Sequence, residues 1–256
     1  MNKVETVAPH PPLTDYYADE AERHRWLRTI FNASAVDYDR IEGLMAFGTG
    51  PWYRRQALRR AGLKPGMQVL DVGTGTGLTA IQAARLSGGG SNVTGVDPSV
   101  GMLANARLPE GMRVVEGRAE ALPAADEGFD FVSMGYALRH VADLRAMFGE
   151  FYRALRPGGR VCVLEITRPN GARATRFLRT YLRYVVPVVA RWVGRSRETP
   201  EVMRYLWDSI EACVPPQEVI EQMRAVGFTD VSRNVVLGIF SEYVGSKPGE
   251  RVKGEM

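Results

Sequence analysis

Cysteine is nearly missing from this chain of 256 residues. Cys162 and Cys213 are the only two, and neither lies in a CxxC pair or a Cys/His cluster. A disulfide framework and a structural zinc are therefore not expected, no metal site is read, and a reducing compartment fits. Long apolar runs are missing too. No segment approaches the ~20 apolar residues of a membrane span, and the opening MNKVETVAPHPPLTD has no apolar signal-peptide core. The expectation is a cytoplasmic protein, with peripheral contact at the inner face of a membrane left open. Charge of one sign is only in slight excess: 33 Lys and Arg against 29 Asp and Glu leave +4, with a pI near 9.2. That balance suits anionic lipid or nucleic acid, yet many enzymes share it and have neither partner. There is no internal repeat, and the 45% hydrophobic content shows no seam between halves, so one main domain with attachments is expected.

What the chain does have is order along its length. Residues 1–18 are polar, proline-containing and aperiodic, and read as a loose tail. Helical stretches over 21–31, 36–47 and 52–61 follow, stopped by Gly62 and Pro65, making an N-terminal cap over 19–64. From Met67, short β-rich runs alternate with helical ones: MQVLDV and LTAIQAARL, NVTGVD and SVGMLANARL, MRVVEG, FDFVSM and ADLRAMFGEFYRALR, then RVCVLEIT. Such alternation predicts an α/β fold with a mostly parallel sheet. RPGG at 156–159 reads as a helix stop before a strand from Arg160, and GGGS at 88–91 as a flexible turn. A helical insert over 171–212 precedes the helix PPQEVIEQMRAVGF. TDVSRNV and VLGIFSEYV then predict an antiparallel hairpin, closing a domain over 65–246 before a tail at 247–256.

The run VLDVGTGTG at 69–77 takes a strand through a glycine-rich turn into a helix, where the backbone can approach a nucleotide-like ligand. Its glycines, at 73, 75 and 77, give GxGxG, whereas pyrophosphate-binding folds use GxGxxG. Asp97 ends the next strand twenty residues after Gly77, where a carboxylate can accept from both hydroxyls of a ribose. An adenosine ligand without a diphosphate points to S-adenosylmethionine. The plain alternative is an αβ turn with a capping aspartate.

With these pieces the segment from Val69 to Pro169 resembles a class I S-adenosylmethionine-dependent methyltransferase. More narrowly, the chain resembles the ubiquinone/menaquinone biosynthesis C-methyltransferase family. The resemblance rests on VLDVGTGTG, GVDPSVGML, AEALP followed by FDFVSMGYALRHV, and FYRALRPGGRVCVLEITRP; FNASAVDYDRIEGLMAFG, RYLWDSI and MRAVGF extend it outward. It implies a Rossmann-like seven-stranded sheet with a C-terminal antiparallel hairpin, N-terminal helices and a helical lid. It also implies methyl transfer to a ring carbon of a prenylated benzoquinol or naphthoquinol, releasing S-adenosylhomocysteine. The cofactor set it implies is Asp71, Gly73, Thr74, Gly75, Thr76, Gly77, Asp97, Pro98, Met102, Arg118, Ala119, Glu120, Met134 and Gly135. Two departures stand out. Relatives often carry Asp or Asn where Arg118 stands, and an arginine offers donors only. The usual FGLRN is YALRH here, which leaves open another small aromatic or lipid acceptor, for instance in secondary metabolism. A non-catalytic cofactor-binding scaffold is the reading from a different class.

Ring methylation needs an electron-rich carbon, and a fixed cation that lowers the pKa of a ring hydroxyl provides one. Arg139 is the expected electrostatic stabiliser, His140 the candidate base and Tyr38 a hydrogen-bonding partner from the N-terminal helices. Neighbours in sequence point in different directions, so Arg139 and His140 are not expected to share a ligand fully. The plain alternatives are an ion pair of Arg139 with Asp143 and a packed helix-face aromatic at Tyr38. In the insert, Arg176, Arg179 and Arg183 fall on one helical face and Phe177, Tyr181, Val185 and Val188 on another, with Pro187 expected to kink or end the helix. Residues 173–195 read either as a lid helix or as a contact with anionic lipid. No nucleic-acid module is recognised and nucleic acid is not expected as a partner; a homodimer stays open.

Overall fold

Strands form wherever short β-rich runs were expected, and the computed structural model describes them within residues 6–249. Five are parallel: β1 (Val69–Val72), β2 (Val93–Asp97), β3 (Arg113–Glu116), β4 (Phe129–Gly135) and β5 (Leu155–Ile166). The hairpin of β6 (Thr229–Val236) and β7 (Phe240–Ser246) joins antiparallel, β7 against β5, giving the order β3-β2-β1-β4-β5-β7-β6. Its turn sets Leu237 and Gly238 at φ 52° and 72°, the two successive positive values of a tight hairpin turn. RPGG does not simply precede β5. Phe129 pairs with Leu155 and Phe131 with Arg160, so RPGG is carried inside the strand as a bulge.

Helices cover both faces. Those of the sheet domain are α3 (Leu78–Ser87), α4 (Val100–Ala104), α5 (Leu144–Ala154) and α9 (Pro216–Ala225), preceded in the chain by α1 (Glu20–Met45) and α2 (Gly50–Arg60). Phe148 and Phe151 of α5 and Met223 of α9 pack on Leu70, Val132 and Val163. Leu58 of α2 and Ala80 and Ala83 of α3 pack on the alternate residues Val69, Phe131 and Cys162. A sheet buried on both sides is why the strand sequences read as unbroken apolar runs.

The cap departs from expectation. Residues 21–31 and 36–47 are not two helices but the single α1, opened by Asp19, whose side chain accepts from the Glu22 N–H at 2.8 Å. Ser34 does not interrupt it because its hydroxyl donates back to the Ile30 carbonyl. Residues 6–18 are not loose either: His10 and Tyr17 are buried, and the backbone bonds Leu144 N–H to Val7 and Val214 N–H to Pro9. Residues 1–5 and 250–256 of the expected tails lie outside the described residues.

The insert forms α6 (Ala172–Thr180), a π turn at Tyr181–Val185, α7 (Val186–Val193) and α8 (Thr199–Ala212). Pro187 does not end the helix; the wider π turn before it relieves the clash with the preceding turn. The buried stripe is Leu178, Leu182, Val186 and Ala190, which shares a core with Ile30 and Ile41 of α1 and Trp207 of α8. The predicted apolar face is therefore corrected: Phe177, Val185 and Val188 are exposed. Asp37 of α1 ties the two parts together by accepting from Arg195 N–H, Ser196 N–H and the Thr199 hydroxyl.

Candidate functional site

At the carboxyl ends of β1, β2 and β4, roofed by α1 and α2, lies a cavity of about 630 Å³. Its floor is the glycine-rich turn. Gly73 takes φ 65°, and a Cβ there would stand 2.5 Å from Cβ of Ala137, so only glycine lets the two loops close. Thr74 is held by Asp71, whose carboxylate accepts from the Thr74 hydroxyl at 2.8 Å and from the Ser133 hydroxyl at 2.5 Å. Burial pushes the Asp71 carboxyl up to about 6.

Asp97 accepts one backbone N–H on each oxygen, from Ser99 and from Gly75, both at 2.8 Å. A carboxylate has about four acceptor positions, so capacity remains for the two hydroxyls of a ribose, as an adenosine ligand needs. Burial pushes this carboxyl up to about 6, while its two N–H partners pull the other way.

Of the residues expected on the cofactor, all but Asp71 and Gly77 line the cavity. Asp71 acts through Thr74, and Gly77 caps α3 at φ 93°. The Arg118 side chain is engaged with the His24 ring, 3.0 Å away, and with Glu120 at 3.5 Å. It thus joins α1 to the cavity wall, which Ala119 also lines.

Three further contacts lock α1 over this end. Asn32 Oδ1 accepts from Gly101 N–H at 2.8 Å and the Ser99 hydroxyl at 2.7 Å, and Asp39 accepts from the Thr76 hydroxyl. Asn32 sat in the FNAS run that extended the resemblance, with no local pattern to mark its role. Asp39 sat in VDYD, where the aspartate could have been read with its tyrosine.

The three residues expected to do chemistry separate. Tyr38 and His140 line the cavity; Arg139 does not. Burial pushes the Tyr38 hydroxyl up to about 12, so it is a neutral donor. Burial, with Arg139 and Arg23 nearby, drives the His140 imidazole well below its ordinary value, so it is uncharged at pH 7. His140 stacks on Tyr205 and meets Phe31 edge-on. Arg139 is turned into the protein: Nε donates to Glu165 at 2.9 Å and Nη1 to the Ser209 hydroxyl at 2.6 Å. The partner is Glu165 of β5, and not Asp143, which caps α5.

A different arginine reaches the cavity. Arg54 of α2 lines it beside Tyr38 and Tyr136, its Nη2 donating to Glu42 at 2.8 Å. Neither Arg54 nor Tyr136 was expected at the site. Arg54 lies in an arginine-rich helix that offers no local hint, and Tyr136 enters through a backbone φ of 61° that sequence does not announce.

The profile of the ubiE/COQ5 methyltransferase family matches residues 18–247. A demethylmenaquinone methyltransferase of Roseiflexus castenholzii is 35% identical over 243 residues, covering 93% of this chain and 98% of the relative. The Mycobacterium tuberculosis protein of the same name is 33% identical over 228 residues, covering 89% and 94%. Among solved structures, a SAM-dependent methyltransferase of Thermotoga maritima shares the fold, with TM-score 0.60 and 23% identity, covering 86% of this chain and 98% of its own. A phosphoethanolamine N-methyltransferase of Haemonchus contortus, solved with S-adenosyl-L-methionine, gives TM-score 0.54 at 18% identity, covering 77% and 53%. With its glycine turn and Asp97 in the matching fold, this chain belongs to the ubiE/COQ5 methyltransferase family and is an S-adenosylmethionine-dependent methyltransferase.

Proposed function

We propose that the acceptor is the reduced, hydroquinol form of a demethylated menaquinone and that the methyl goes to a ring carbon. The observation that supports this most is the composition of the second half of the cavity. Beyond the adenosine end stand Phe31, Tyr38, Tyr136 and His140 with one buried cation, Arg54. Aromatic walls suit a fused ring, and the donors suit its ring oxygens. The names of the relatives point to the same acceptor.

When bound, S-adenosylmethionine supplies a methyl on a positively charged sulfur. The protein's own residues prepare the ring. A hydroquinol whose hydroxyl is ionised carries more charge on the carbon beside it, which makes that carbon the nucleophile. Tyr38, protonated at neutral pH, donates to a ring oxygen. His140, uncharged at neutral pH, accepts the proton that must leave the methylated carbon for the ring to regain aromaticity. Arg139, through Glu165 and Ser209, fixes the loop that carries His140 and so positions it. The test is methyl transfer from labelled cofactor to a panel of demethylated quinones, each supplied reduced and oxidised. Turnover of reduced members only is expected; turnover of none, with the cofactor bound, refutes the assignment.

The acceptor's lipid tail gives the outer face of the insert a role. Phe177, Tyr184, Val188 and Trp192 are exposed, Trp192 at 84%, and Arg173, Arg176, Arg191 and Arg195 are exposed among them. Apolar side chains mixed with arginines suit the interface of an anionic bilayer. No helix among the described residues is long and apolar enough to cross one. Sedimentation with phosphatidylglycerol vesicles, and loss of at least half of the bound fraction in Phe177→Ser/Trp192→Ser, is the expected result. Equal binding by the double variant contradicts it.

A further inference from the structure

The geometry points to Arg54, and not Arg139, as the cation that meets the ionised ring oxygen of the acceptor, held ready by Glu42 and by a strained Tyr136. The inference rests on the phenolic acceptor proposed above and names the group that recognises it.

Three observations carry it. The first is an incomplete set of hydrogen bonds. Arg54 is 3% exposed and lines the cavity; its Nη2 meets Glu42, while Nε and Nη1 have no partner among the described residues. A guanidinium has five N–H donors and cannot lose its charge at neutral pH. Buried donors without acceptors are rare in folded proteins, and those at a cavity wall are the ones a ligand's oxygen completes.

The second is the state of Arg139. Its Nε and Nη1 are spent on Glu165, the Leu206 carbonyl and Ser209, it is 1% exposed, and it stands outside the cavity lining. Its Nε and Nη1 are committed to the protein, and reaching an acceptor from outside the cavity lining would mean breaking the pair with Glu165.

The third is Tyr136, directly after β4. Its φ of 61° is a left-handed value that a bulky side chain rarely adopts. Its N–H is fixed on the Leu164 carbonyl at 2.8 Å, and its ring lies with Arg54 Cζ 5.0 Å from the centroid. Strain of this kind persists where the surroundings impose it, commonly at a ligand site. Here it places an aromatic face under the guanidinium. Gly50 completes the arrangement: a Cβ there would lie 2.7 Å from Arg54 Nη1 and from Glu42 Oε1, so glycine leaves the ion pair its room.

A ring hydroxyl placed against this guanidinium loses its proton to solvent more readily, because the anion gains a fixed opposite charge in a site with little water. Glu42 keeps the pair near neutrality while the pocket is empty. It also limits how strongly Arg54 attracts the anion.

The test reads ionisation directly and does not depend on turnover. 4-Nitro-1-naphthol, whose absorbance distinguishes phenol from phenolate, is titrated with pH in the complex of the full chain with S-adenosylhomocysteine. In the wild type the bound anion is expected to be favoured at least roughly tenfold over water. Arg54→Gln should abolish that preference with S-adenosylhomocysteine affinity unchanged. Arg54→Lys should keep most of it, and Glu42→Gln should increase it, a change that a purely structural role would not produce. A wild type that does not bind the probe, or does not favour its anion, overturns the inference, as does an unchanged preference in Arg54→Gln. Failure of the acceptor assignment itself shows separately, as absent methyl transfer to reduced demethylmenaquinone by a wild type that still favours the bound anion.

Discussion

Asp97 answers to two requirements that pull against each other. Binding two ribose hydroxyls needs a carboxylate, yet burial raises its carboxyl from 3.8 to about 6. The sign follows from linkage. Relative to the unfolded chain, this group favours the fold fully below pH 3.8, and the benefit is lost as pH rises through about 6. Cofactor affinity runs the other way, because a protonated Asp97 gives up acceptor capacity. Calorimetry with S-adenosylhomocysteine should show Kd weakening by up to about tenfold per pH unit below 6. Asp97→Asn should weaken it at pH 7.5 by ~2–3 kcal/mol, roughly 30- to 150-fold; an unchanged Kd would remove Asp97 from the site. Arg139→Ala makes a different prediction. It leaves Glu165, 1% exposed, with no counter-charge. Loss of one partner of a buried pair costs about 3–5 kcal/mol, so denaturant unfolding should shift by that amount and any loss of activity should accompany it. Full stability with lost turnover would return Arg139 to the chemistry.

Among the elements, α1 does more than form one wall. It crosses the adenosine end at His24 to Arg118, Asn32 to Ser99 and Gly101, and Asp39 to Thr76. A ligand beneath it should hold it closed. Hydrogen exchange is expected to slow in residues 20–45 when S-adenosylhomocysteine binds, as much as in the glycine turn, with no change in α9; equal rates in α1 with and without ligand would contradict this. The sheet and the glycine turn were legible because they depend on local matters: strand-length apolar runs, glycines where the backbone needs positive φ, an aspartate at the next strand end. The continuity of α1 was not, because Asn32, Ser34 and Asp37 look like helix breakers until their distant partners are known. The insert was misread for a similar reason. Leu178, Leu182, Val186 and Ala190 run along the same helices one position over, and packing against α1 and α8 decides which stripe is buried, so the spacing put Phe177 and Val188 inside when Leu178 and Ala190 are there. At the site, the YALRH segment drew attention to an arginine whose partner, Glu165, lies 26 residues away, and passed over Arg54, which only the fold brings to the same cavity.

At the scale of the molecule, the carboxyl ends of β1, β2 and β4 floor the cavity, while α1, α2 and the loop after β4 supply its aromatic and cationic residues. The central claim is carbon methylation of a reduced ring. The most direct measurement is carbon-13 NMR of the product formed from methyl-labelled S-adenosylmethionine and chemically reduced demethylmenaquinone. The account predicts one label per ring, bonded to carbon, and none from the oxidised quinone. A label bonded to oxygen, or no label from the reduced form while the cofactor is bound, would contradict it.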